Sequence, residues 1–157
     1  MRVLLLTLFL TSCGAFDQIF DDHVYQSNRP DDYSSAIDPD FLPYYDLFAK
    51  IRVSKRPSVP IRYGTLDGNT VGLCEWGSDW RRITVDKKFW STASESNKQV
   101  LVLHELGHCA LHRPHDSEMK HTDDFGDIPE SIMYPSVIGD EQAFPTYKDY
   151  YFKELVK

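Results

Sequence analysis

The 157-residue chain has no basic cluster, no membrane-length apolar run, no internal repeat and only three cysteines. Each of these absences removes a class of function. Its 24 acidic and 17 basic residues leave a net charge of −7 and no stretch able to neutralise phosphates, which argues against a nucleic-acid partner. The apolar run from Val3 to Leu10 is far shorter than the roughly 20 residues a helix needs to cross a bilayer. Apart from an acidic bias near the start, no segment is compositionally simple. A content of 41% hydrophobic and 13% aromatic residues is enough to build a core, so the chain as a whole is not a disordered one.

What is present begins at the N-terminus. MRVLLLTLFLTSCG places one positive charge, Arg2, before a short apolar run, which is the layout of a secretory signal. Leu10-Thr11-Ser12-Cys13 resembles the bacterial lipobox, in which an aliphatic and two small residues precede a cysteine that becomes lipidated. That resemblance implies a lipoprotein signal peptide over residues 1–12 and an acylated Cys13. An ordinary signal peptide cut nearby, with Cys13 incidental, is the alternative. Gly14 in second place implies transfer to the outer membrane. The expected location is therefore the cell envelope, on a membrane through a lipid anchor. In an oxidising compartment the two remaining cysteines, Cys74 and Cys109, are more often paired than free. A Cys74–Cys109 bridge would staple a strand to the helix that carries the site described below. The alternative is that Cys109 is a small buried residue of that helix.

Residues 13–40 are polar and acidic with no apolar period, and read as a solvated tether. The domain is expected over 41–157. FLPYYDLFAKI spaces its apolar residues at helical intervals. VPIRY, TVGLCEW and RRITVD look like three strands, separated by the turn-rich stretches LDGN and GSD. Ser94 or Ser96 can cap a long buried helix running through KQVLVLHELGHCALH, which Arg113-Pro114 ends. A polar loop, SIMYP and a closing helix in TYKDYYFKELVK follow. Strands first and helices later predict an α+β domain, with a small sheet packed on a long helix.

Residues 104–116, HELGHCALHRPHD, hold four histidines. His104 and His108 lie four apart, on one helical face, so two imidazoles can converge on one metal ion. Glu105 stands beside the first ligand, where it can take a proton from a water on zinc and pass it to a leaving amine. With 6 histidines, a shuffled chain would contain HExxH only about 0.01 times, so the motif is a real signal. Two histidines could supply a third ligand. On a continuing helix His112 sits about 12 Å beyond His104 along the axis, out of reach. His115 follows a proline that lets the chain turn back. Helix geometry therefore favours His115, and a break before His112 would reverse that preference. His121-Thr122-Asp123-Asp124 reads as a solvated loop, with a second cation site as the lesser alternative.

HELGH, the later His115-Asp116 pair and SIMYP together resemble the metzincin clan of zinc metallopeptidases. The clan carries HExxHxxGxxH, followed by a methionine-containing turn beneath the metal. The resemblance implies zinc on His104, His108 and His115, Glu105 as general base, and Met133 as the support in a Met-turn. It also implies that RRITVD forms the cleft edge to which a peptide substrate adds as a strand. Two departures stand out: the third histidine is one residue late, and Leu111 replaces the glycine of the pattern. The function expected is a monomeric zinc endopeptidase acting on envelope or extracellular proteins. The alternative is a non-catalytic lipoprotein whose zinc is structural, with His112 as a fourth ligand.

Overall fold

The computed structural model describes residues 24–137 and 143–157. The signal peptide expected over residues 1–12 and the lipidation candidate Cys13 lie outside the described residues. A two-residue strand β1 (Val24–Tyr25) and a 3-10 turn (Pro39–Phe41) precede helix α1 (Leu42–Ile51). Strands β2 (Ile61–Gly64), β3 (Gly72–Trp76) and β4 (Arg81–Asp86) come next, then helices α2 (Lys87–Thr92) and α3 (Glu95–Leu111). A hairpin of β5 (Met119–Thr122) and β6 (Gly126–Pro129) leads to α4 (Ala143–Thr146) and α5 (Lys148–Leu155). The architecture is α+β, with a small mixed sheet and a C-terminal helix. Among the described residues no helix is long and apolar enough to cross a membrane.

The sheet runs in the order β1-β3-β4-β2. β4 pairs parallel with β2 and antiparallel with β3, and β1 pairs parallel with β3. Alternation along β4 separates two kinds of burial. Ile83 and Val85 enter the apolar core, while Arg82 and Thr84 are buried on the opposite, polar face. Successive strand residues point to opposite faces, so a strand covered on both sides can bury both sets. RRITVD is therefore an internal strand and not the cleft edge expected from the resemblance. The edge falls to β3, which β1 covers only at Glu75 and Trp76. Among the described residues no strand pairs with Gly72–Cys74 on that side.

The Ser94 hydroxyl caps α3 by accepting from the Asn97 N–H at 3.2 Å, satisfying one of the helix's otherwise orphaned donors. Every residue from Val100 to Cys109 is buried, which marks a core helix and not an amphipathic surface one. Cys74 and Cys109 form a disulfide with their Cα atoms 5.7 Å apart, joining β3 to α3 across 35 residues of sequence. Closing a loop of that length stabilises the fold by about 4 kcal/mol through lost chain entropy. α1 brings Tyr45 and Phe48, both fully buried, into the same core.

The acidic segment differs from the tether expected over 13–40, because from Val24 onward it is attached to the sheet. β1 pairs with β3, and Ile37 makes a bridge to Ile61. The Asp32 carboxylate accepts from Arg62 at 2.6 Å and from Arg82 at 2.8 Å. Arg82 is itself buried and pairs with buried Glu75 at 2.6 Å. A buried guanidinium needs such partners to offset its lost hydration. The polar stretch 119–129, expected as a loop, contains the β5–β6 hairpin, whose tip Gly126 takes the left-handed φ of 70°. There His121 pairs with Asp127 at 2.8 Å on the exposed surface.

Hydrogen bonds from Arg82 and then Arg62 lower the Asp32 pKa to about 2 from its ordinary 3.8. A depressed carboxylate stabilises the fold fully above its unfolded pKa, and the contribution disappears as pH falls through the folded one. Asp32→Asn should therefore lower stability to urea at pH 7 and have little effect at pH 2. An equal loss at both values would exclude the ion pairs as the cause.

Candidate metal centre

His104 and His108 project from one side of α3 with ring centroids 4.6 Å apart, edge to face. Each ring is aimed by its far nitrogen. His104 Nδ1 lies 2.8 Å from the carbonyl oxygen of Ile132, and His108 Nδ1 lies 2.6 Å from that of Arg113. A carbonyl only accepts, so each Nδ1 carries the proton and each Nε2 presents a lone pair. Those two Nε2 atoms stand 2.9 Å apart, and the Nε2 of His115 stands 3.2 Å from that of His104. Burial, reinforced by neighbouring His108, pushes the His104 pKa well below its ordinary value and keeps that ring neutral.

Neutral nitrogens whose lone pairs meet at this distance repel one another, and a cation placed among them turns repulsion into attraction. Three nitrogens each about 2.1 Å from one tetrahedral ion lie roughly 3.4 Å apart. The observed separations need only slight opening to meet that spacing, so the residues fit a metal ion. Among the described residues, the His104, His108 and His115 cluster includes no fourth His, Cys, Asp or Glu.

His112 is not in the cluster. α3 ends at Leu111, and His112 takes the left-handed conformation at φ 59° and ψ 31°. Its N–H donates to the carbonyl of His108, the usual way a left-handed residue closes a helix C-terminus. Its ring turns toward Arg81, with Nε2 3.4 Å from Nη1. Three residues later the chain has doubled back through Pro114 and delivered His115 to the other two imidazoles. In HExxHxxGxxH the glycine also precedes the third histidine by three. Relative to that spacing, the left-handed residue and the third histidine both fall one position later.

Glu105 is completely buried, and its carboxylate lies against the start of β3. A Cβ on Gly72 would meet Glu105 Oε1 at 2.4 Å and Leu101 Cδ1 at 2.6 Å. Position 72 has to be glycine for that carboxylate to lie where it does. Met133 is held in a tight turn in which its N–H donates to Ser131 Oγ at 2.9 Å. The Tyr134 N–H donates to the Ser131 carbonyl at 3.2 Å. The methionine sulfur packs on the helix between the two ligands, where a Cβ on Gly107 would meet Sδ at 2.3 Å. The Met133 carbonyl accepts from the Asp116 N–H at 3.0 Å, tying the turn to the residue after His115.

Sequence reasoning missed Gly72, Gly107 and the pair Arg113–Glu154. A glycine inside a strand pattern is a signal for close backbone approach, so Gly72 was the detectable one. Nothing in the sequence links Glu154 to residues 22 to 41 positions earlier.

Two predictions follow from the backbone of the site. Gly107→Ala should displace Met133 and destabilise the protein by about 1–3 kcal/mol, as overpacking does, in denaturant titrations. His112→Gly should act in the opposite sense. Removing a side chain from a left-handed residue relieves about 1 kcal/mol, read as a Tm rise of about 2–4 °C. Comparison with protein-family models, with curated proteins and with solved structures found no match to this chain.

Proposed function

We propose that the protein is a zinc-dependent endopeptidase and that its chemistry is centred on His104, His108 and His115. The observation that carries this reading is the three-histidine cluster with no fourth His, Cys, Asp or Glu among the described residues. A structural zinc takes four protein ligands, whereas a catalytic one keeps a position open. His112, the only further histidine near the cluster in sequence, faces Arg81, which weighs against the structural-zinc alternative. When bound, zinc supplies a Lewis acid that polarises a carbonyl and lowers the pKa of a water toward about 7.

The remaining work falls to the chain. Glu105 takes the proton of the attacking water and returns it to the departing amine, which balances the hydrolysis. Its burial and its seat on Gly72 hold the carboxylate in one place. An extended peptide adds to the open edge of β3 at Gly72–Cys74, next to that carboxylate, through main-chain hydrogen bonds. Met133 and Gly107 keep the two helix-borne ligands in register from below. Acylation at Cys13 would hold the enzyme on the envelope membrane, and envelope or extracellular proteins are the substrates that location offers.

The test compares zinc-loaded protein with its Glu105→Ala variant on a diverse peptide library. Cleavage should fall by about 10²- to 10⁴-fold in the variant, while one zinc per chain remains bound. A parent protein that holds zinc firmly but cleaves nothing would make the site a binding module.

A further inference from the structure

Glu154 is a carboxylate in an unfavourable place. It sits in the last turn of α5 and is only 7% exposed. Burial costs a charge its hydration, and a helix C-terminus favours cations over anions. Buried ion pairs of this kind add little to stability compared with apolar packing. The position of its two oxygens suggests what the carboxylate does instead.

Oε1 accepts from the Arg113 guanidinium, and the Glu154 carbonyl accepts from Arg113 Nη1 at 3.1 Å. Oε2 accepts from the Ile132 N–H at 3.3 Å. Arg113 and Ile132 are the two residues whose carbonyls receive the Nδ1 protons of His108 and His104. One carboxylate therefore clasps both anchors of the helix-borne imidazoles. Arg113 is also joined to His115 through Pro114 alone, whose fixed φ limits how far the third ligand can drift from it.

We propose that Glu154 is a positioning residue for the metal centre, setting through Arg113 and Ile132 the orientation of the His108 and His104 rings. The proposal rests on the reading of the cluster as a metal site. Partners of metal-ligating histidines fix tautomer and ring direction, and their loss weakens metal binding by about 10- to 100-fold. Glu154 acts one step further out, and it acts on two ligands at once because it holds both carbonyl-bearing segments.

The experiment is a zinc titration of the metal-free protein against a chromophoric chelator, with cobalt absorption as a second signature. Glu154→Gln keeps the size of the side chain and loses its charge. It should remain folded by circular dichroism and bind zinc about 10- to 100-fold more weakly, with an altered cobalt spectrum. Arg113→Met should give the same loss, and the double variant should lose no more than either alone, because both break one linkage. Glu75→Gln, which breaks the buried pair with Arg82 on the sheet, should lower Tm and leave zinc affinity unchanged. Zinc affinity of Glu154→Gln within twofold of the parent would overturn the proposal. So would a loss in Glu75→Gln as large as in Glu154→Gln, since general softening would then suffice. Should Glu154→Gln fail to fold, Arg113→Lys is judged by the same criterion. It keeps the charge but not the forked contact. A separate outcome is a parent that binds no zinc, or binds it equally well after His104→Ala. That result removes the metal site itself and the proposal with it.

Discussion

The Nε2 lone pairs of His104 and His108, directed at one another 2.9 Å apart with the His115 ring beside them, form an arrangement that a cation or a proton makes favourable. Burial opposes the proton, because a charged His104 would have to give up its hydration inside the core. The centre is therefore built as a neutral, preorganised set of donors, and much of the surrounding structure keeps it so. The Nδ1–H of His104 and that of His108 are each spent on a backbone carbonyl, both carbonyls lie in segments tied to α5, and α3 is fastened to the sheet by a disulfide. Ligand orientation is thus a property of the backbone around the helix as much as of the histidines.

The turn after α3 shows how tolerant such a scheme is. What must be conserved physically is the path from helix end to third ligand: a left-handed residue, then three steps to an imidazole. Here the helix continues for one more residue before that path begins. The left-handed position consequently falls on His112, which carries a side chain where glycine would be unstrained. The strain is offset by the backbone hydrogen bond that closes the helix, His112 N–H to the His108 carbonyl.

Much of this was legible in the sequence. Apolar spacing located α1 and α3, strand-like runs between turn-rich stretches located β2 to β4, and the four-residue spacing of His104 and His108 located two members of the candidate metal cluster. Helix geometry favoured His115 on the premise of a helix running past His112, and that premise failed, since α3 ends at Leu111. His115 still joins the cluster, because the left-handed His112 turns its ring toward Arg81 and the chain doubles back through Pro114. What escaped was whatever depends on partners far apart in the chain. Asp32 lies in a segment without periodicity, and its attachment consists of ion pairs to Arg62 and Arg82 that no local pattern announces. α2 spans six residues, too few to display a period, and begins only because the Asp86 side chain accepts from the Phe89 N–H. The placement of RRITVD at an edge failed for a related reason. The alternation of a strand indicates its faces, whereas its neighbours depend on topology.

Two glycines finally show where the site is least free to vary. α3 is approached on one side by β3 and on another by the Met133 turn. At both contacts a single β-carbon would collide, with Glu105 Oε1 at 2.4 Å in one case and with Met133 Sδ at 2.3 Å in the other. The ligands converge because the helix can come this close to both neighbours. The Glu105 carboxylate is positioned by the absence of a side chain at Gly72, and the Met133 turn by the absence of one at Gly107. A histidine lost from the cluster removes a donor. A methyl group gained at either glycine shifts the helix or its neighbour, and with it the geometry shared by Glu105, Met133 and the three rings.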